Sequence, residues 1–453
     1  MDMKKMAFFL TLVFLATACG SGGKSGGKSS RKGFEAQPEN MVLIKAGSFE
    51  MGSNDEDAVW ALNAPLRRRS TDAFWMLQTE VTNMEYRMFV SWTADSIARR
   101  ILAKAQIDGF GIEQDEDDED TDTNDEYYPP LNYKTKIATR PKQKGFDEHY
   151  PELKKEGFYY TTKESGGVKR VIDARQLEYV YQWFDLHQAA KAKWDPVQKK
   201  YIGTVVDLEG KTAEIVDRSS FIMTEKILVY PDTLVWIRDY HNSYNDPMAK
   251  NYFSHPGYDY YPVVGVSWKQ AEAYCDWRTK HAYEKKYRNQ YAPHACRLPM
   301  EVEYEYAARG GQDGSLYPWG SMYNSNKTGC YLANFKPQRG DYALDGFSRI
   351  APVAQYEPNE WGLYDMAGNV SEWVYDSYDE NAYESTHDLV PVYRHDVKTN
   401  DKKAQKRKVI RGGSWKDFAY FLQCGARDYD YQDSVRSYIG FRIVRDAILS
   451  GTN

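Results

Sequence analysis

The chain of 453 residues carries 59 Lys and Arg against 65 Asp and Glu, a formal charge of -6, and has a mean hydropathy of -0.72. That balance argues against nucleic acid as a partner, since a phosphate backbone is held through a cationic surface. With 37 Tyr and 12 Trp, a core built from large rings with polar handles is expected, with much irregular structure between short elements.

At the N-terminus Lys4 and Lys5 precede Met6 to Ala18, a nearly all-apolar run too short to cross a hydrocarbon layer of roughly 30 Å. The run closes on Ala16-Thr17-Ala18 and meets Cys19 and Gly20. Residues 1–18 therefore read as a secretory signal peptide, and the junction resembles a bacterial lipobox with Cys19 as the lipidation site. Leu15 stands one place earlier than the usual leucine. Several acyl chains, each worth about 0.8 kcal/mol per buried CH2, anchor a protein stably where one chain does not. The segment GSGGKSGGKSSRKG then supplies flexible coil, so residues 19–40 are expected to be a lipid-anchored tether. No later run is apolar enough to span a membrane.

From Met41 to Ser53 the sequence MVLIKAGSFEMGS alternates as a strand does. Thr82 and Glu85 form a capping box, after which Tyr86, Phe89 and Val90 fall on one helical face. Glu113 to Glu126 then holds ten carboxylates in fourteen residues, a density that repels itself. A helix is predicted around Gln176 to Lys193, burying Leu177, Val180, Trp183 and Phe184. Ser267 with Gln270 makes a second capping box, for a helix burying Ala271, Tyr274 and Trp277. A third helix, EVEYEYAARGG, closes on Gly310 and Gly311. Loops on short strands are expected from Tyr317 to Arg442. The four cysteines besides Cys19, namely Cys275, Cys296, Cys330 and Cys424, have no CxxC spacing, and their pairing stays open.

Eight blocks in order carry a family resemblance: MVLIKAGSFEMGS, TEVTNMEYRMFV, YPVVGVSWKQAEAYCDW, RLPMEVEYEYAARGG, YPWG, NEWGLYDMAGNVSEW, RGGSW and GFRIVRD. Together they resemble the formylglycine-generating enzyme, or sulfatase-modifying factor, domain. The resemblance implies a single α+β domain with little regular secondary structure, related to C-type-lectin folds. Residues 41–92 and 226–446 would form it, 93–225 would be an insertion carrying the acidic tract, and 447–453 a C-terminal tail.

Enzymes of that family oxidise a substrate cysteine with copper held by two cysteines just after the RGGS block, soft thiolates being suited to Cu(I). Here those positions hold Asp417 and Leu422, and Cys424 is displaced and unpaired. The resemblance therefore implies a pseudoenzyme with no copper and no catalytic residues. The family's calcium loops imply two structural sites. One would use Asn334, Phe335, Asp345 and Phe347; the other Asp365, Gly368, Val370 and Glu372. Calcium takes such carboxylates and carbonyls at about 2.3–2.6 Å. Met300 stands where the family has a Thr helix cap worth roughly 1 kcal/mol.

The segments VYPDTLVWIRDY and SYNDPMAKNYFSHPGYDYYPVVGVSW, with the large insertion, resemble the PorK/GldK-type lipoproteins of the type IX secretion system; the GldJ-type lipoproteins share the domain. This resemblance implies a periplasm-facing, lipid-anchored outer-membrane scaffold of the secretion and gliding machinery. It would self-associate into a ring and pair with a periplasmic PorN/GldN-type protein. Two rival readings are a lectin-like binder of glycan or peptidoglycan and an oxidase with another metal. The second finds no support in His255, His281 and His294, which are scattered without ligand spacing.

Overall fold

The computed structural model describes residues 37–53, 63–111, 131–164, 167–239, 246–286 and 295–447. The signal segment, Cys19, most of the tether, the acidic tract, His294 and nearly all of the C-terminal tail lie outside them. No helix among the described residues is long and apolar enough to cross a membrane.

Two four-stranded sheets frame the domain. The first runs Met41–Ile44, Phe74–Leu77, Val444–Asp446, Cys296–Arg297, all antiparallel, with Val444 opposite both Met76 and Arg297. It thus joins the two ends of the domain sequence. The second runs Asp428–Tyr431, Arg407–Arg411, Ser371–Ser377, Ile439–Gly440, its last pair parallel. Between Arg309 and Ser371 the chain forms no helix or named strand, and the candidate site lies in this irregular stretch and beside it.

Two helices pack together through aromatic rings. Asn83–Lys104 begins as its sequence predicts: the Glu85 amide donates to Thr82 Oγ1, and the Thr82 amide donates back to the Glu85 carboxylate at 3.0 Å. Helix Trp268–Lys286 begins with the same reciprocal pair, Ser267 and Gln270. Tyr86 stacks on Tyr274 at 5.6 Å, while Phe89 and Phe441 close the cluster edge-on. The third helix, Glu301–Arg309, ends on Gly310 at φ 59°, the left-handed cap its glycine pair predicts.

The helix predicted around Gln176 to Lys193 does not form. Glu178–Phe184 is a strand, paired antiparallel with Ile222–Leu228, and only Leu186–Lys191 is helical, capped by Asp185. The run EYVYQWF is β-branched and aromatic, and a partner strand some forty residues on satisfies its backbone. On a strand Tyr179 and Tyr181 share a face, and both enter the main core, Tyr179 edge-on to Phe89 at 5.2 Å. The residues expected to form an insertion therefore build part of that core. The boundaries drawn at 92/93 and 225/226 fall inside helix Asn83–Lys104 and strand Ile222–Leu228.

Candidate functional site

Strand Arg407–Arg411 leaves the sheet through Gly412 (φ 89°) and Gly413 (φ 68°). A Cβ on Gly412 would sit 2.6 Å from Tyr304 Oη, and one on Gly413 2.8 Å from the Phe421 carbonyl oxygen, so both positions require glycine. The chain then turns at Ser414, whose amide and hydroxyl both donate to Asp417 Oδ2, at 3.0 and 2.5 Å. Asp417 thus uses its carboxylate to close its own turn. Leu422 is fully buried among Tyr317, Ala333, Phe335 and Ala367. Cys424 is buried as well, and burial pushes its thiol up to about 12, which leaves no thiolate at neutral pH. At the two positions where the resemblance implies copper-binding thiolates, the chain has a polar turn and an apolar plug.

Under this loop lies a buried ionic lattice. Helix Glu301–Arg309 places Glu301, Glu305 and Arg309 one turn apart. Glu305 is shared by Arg309 and Arg411 and also accepts from the Gly52 amide at 2.8 Å. Glu301 takes both ends of Arg427 at 2.9 Å. The missing threonine cap is made good from a distance: the Glu301 amide donates to Asp376 Oδ2 at 2.7 Å, and the Met300 amide to Glu303 at 2.8 Å. Burial and the neighbouring Glu301 raise the Asp376 carboxyl to about 7.

The predicted calcium residues divide in two. Around the first set, Asp345 accepts from the Phe335 amide at 2.7 Å and the Phe347 amide at 3.2 Å, so Asn334, Phe335, Asp345 and Phe347 come together. Asn334 is buried. Its Nδ2 donates to the Arg349 carbonyl at 2.8 Å, while its Oδ1 has no partner. An orphaned buried acceptor beside a carboxylate that burial holds above its usual range fits a hard, oxygen-seeking cation.

In the second set the two carboxylates are already engaged. Glu372 is gripped at both oxygens by Arg442, Nε to Oε2 and Nη2 to Oε1, each at 2.7 Å, with neither side chain exposed. Tyr304 Oη adds a contact to Glu372 at 3.3 Å. Asp365, at φ 52°, accepts from the Ala354 amide at 2.6 Å, and burial raises its carboxyl to about 6. A Cβ on Gly368 would sit 2.5 Å from the Asn334 carbonyl oxygen, and Val370 is buried. A guanidinium already neutralises Glu372, so a divalent cation in this loop would compete with Arg442 for that carboxylate. Among the described residues no three His, Cys, Asp or Glu side chains converge to hold a metal.

Sequence reasoning missed Glu80, Asn369 and Arg442. Glu80 is fully buried with Oε2 unpartnered, and burial with nearby Asp365 and Glu372 holds its carboxyl well above the usual range. Asn369 links the two loops: its Oδ1 accepts from Asn334 and from the Ala351 amide, and its Nδ2 donates to Glu80. Both Glu80 and Arg442 stand inside the TEVTNMEYRMFV and GFRIVRD blocks, a signal available before the structure. Two of the histidines, His255 and His281, make local contacts. His255 accepts from the Gly257 amide, and His281 stacks on Trp277.

A family model described as the sulfatase-modifying factor enzyme 1-like domain matches residues 28–167 and 169–447, and the chain belongs to that family. The match runs through the region predicted as an insertion. Among curated relatives, the inactive C-alpha-formylglycine-generating enzyme 2 of Bos taurus is 35% identical over 193 residues, 41% of this chain and 51% of that protein. The chain thus matches about half the length of that relative. The formylglycine-generating enzyme of Bos taurus is 26% identical over 91% of this chain and 76% of that protein. The relatives therefore include both formylglycine-generating enzymes and inactive paralogues. The solved structure of PvdO from Pseudomonas aeruginosa aligns over 92% of this chain and all of that one, at 18% identity and a TM-score of 0.42.

Proposed function

We propose that this chain is a non-catalytic, lipid-anchored scaffold of the outer membrane. It faces the periplasm as a ring subunit of the type IX secretion and gliding machinery, with a PorN/GldN-type protein as its partner. The observation that carries the non-catalytic reading is the copper position itself, where Asp417 closes a turn and Leu422 fills a core. A hard carboxylate and an aliphatic side chain supply no soft ligand for Cu(I). The machinery and partner rest on the resemblance to PorK/GldK-type lipoproteins in the segments around Val229 to Trp268. The exposed Trp194, Val197 and Tyr201 at hairpin Lys193–Ile202 suit contacts with neighbours, since aromatic rings are enriched at interface cores. Calcium, bound at Asn334, Phe335, Asp345 and Phe347, would brace the loop against its neighbour without entering any reaction.

The test is purification from native membranes in mild detergent, followed by copper analysis, mass spectrometry and a cysteine-peptide oxidation assay. The expected result is an acylated Cys19, a large assembly containing a PorN/GldN-type protein, no Cu(I) and no turnover. Asp417→Cys with Leu422→Cys should restore Cu(I) binding. Stoichiometric copper with turnover in the native protein, or a strictly monomeric species, would overturn the reading.

A further inference from the structure

Strand pair Glu178–Phe184 and Ile222–Leu228, helix Trp268–Lys286 and the segment 394–408 enclose a cleft of about 600 Å³. None of its lining residues belongs to the 334–372 loops or to the turn after Arg411, so it is separate from the site described above. Its volume lies within the roughly 300–1,000 Å³ of small-molecule sites. Trp268 and Tyr181 form a buried aromatic floor.

Many of the charged side chains around the cleft satisfy one another. Lys269 pairs with Glu225, Arg297 with Glu303 and Asp446, and His395 with Asp401. Three do not. Glu272, on the helix, accepts from the Leu298 amide, but its buried Oε1 has no partner. Arg394, on the opposite side, lies 4.3 Å over the Tyr375 ring and donates from Nε to Asp396 at 2.7 Å. Its two Nη groups make no hydrogen bond among the described residues. Lys408 donates to Ser377 Oγ at 3.1 Å, reaches the His395 carbonyl at 3.5 Å and sits 4.0 Å over the Trp268 ring, with no carboxylate within ion-pair distance. Trp183 Nε1 is a second buried polar atom at the cleft without a partner, a donor lacking an acceptor. Glu272 feels both cations electrostatically yet touches neither.

A buried charged group left without a partner is destabilising, so each of these groups favours a ligand of opposite charge. The complement is a ligand presenting a cationic donor to Glu272 and an anionic acceptor to Arg394 and Lys408, which line the same cleft. We propose that this cleft binds an amino-acid head, an ammonium and a carboxylate on one carbon, with the carboxylate on the Arg394 fork and the ammonium on Glu272 Oε1. An unblocked amino acid fills only a fraction of the volume, so the head is carried on a larger molecule whose remainder lies over the aromatic floor. The fork geometry of a guanidinium matches a carboxylate in two parallel bonds, which fixes the head's orientation.

The experiment is calorimetric titration of the full chain with free phenylalanine, free meso-diaminopimelate, and a peptidoglycan stem peptide whose diaminopimelate head is unblocked. The N-acetylated and carboxamide forms of each serve as controls. Binding of the unblocked head, weakened at least tenfold by either blocking group and by Arg394→Gln or Glu272→Gln, is expected. Tighter binding of the stem peptide than of the free amino acids would support a carried head; equal binding would overturn that part of the assignment. If no probe binds at millimolar concentration, or blocked probes bind as well as unblocked ones, the assignment fails. Titrating the unmodified chain with blocked and unblocked probes separates these outcomes even where a variant does not fold.

Discussion

Arg442→Met tests how the buried charge near the second loop is balanced. The guanidinium donates twice to Glu372 at 2.7 Å and once to the Tyr364 carbonyl at 3.0 Å. Removing it strands Glu372 beside Glu80 and Asp365, whose proton affinity Glu372 already raises. Breaking a fully buried pair from one side costs about 3–5 kcal/mol. At about 2.1 cal/mol/K of unfolding entropy per residue, the roughly 370 described residues give about 0.8 kcal/mol/K, so Tm should fall by about 4–6 °C. Adding Glu372→Gln removes the stranded charge and should recover at least about 1 kcal/mol, a coupling that a double-mutant cycle isolates. Scanning calorimetry on the parent, both single variants and the double variant measures it. A Tm change under about 1 °C for Arg442→Met, or strictly additive losses, would refute the balance described here.

Calcium at the first loop should raise Tm. At a hundred times its dissociation constant a bound ion contributes about 2.7 kcal/mol, and chelation should remove it. Asp345→Asn should abolish that response, and an unchanged Tm with and without chelator would exclude the ion. Stability should fall as pH rises from about 4 to 7. Folded Asp376 keeps a proton up to about 7 that the unfolded chain releases near its ordinary value, so the unfolded state binds fewer protons across that window. Above pH 8 the sign reverses for Lys408, whose amine burial and Arg394 lower to about 8: the unfolded chain then binds more protons, and stability rises toward pH 10.5. Denaturant titrations between pH 4 and 10 should show both limbs, with Lys408→Met flattening the second. A monotonic profile in the parent would contradict the assignment.

The amino-acid order alone determined whatever depends on residues three or four positions apart. The Thr82–Glu85 and Ser267–Gln270 boxes close within a single turn, and Gly310 ends its helix because only glycine adopts the left-handed cap without strain. Asp417 and Leu422, at the positions where the resemblance implies copper thiolates, are likewise visible in a short stretch after RGGSW. Tertiary structure decided what depends on distant partners. Glu178–Phe184 carries apolar residues that suit a helix or a strand, and pairing with Ile222–Leu228 selects the strand. Asp376 caps a helix 75 positions away, and Arg442 meets Glu372 across 70, in a core where charge must be matched because water is absent. Local hydrogen bonds form between near neighbours and can be read in order, whereas the charge state of a buried carboxylate is set by whichever groups the folded chain brings against it.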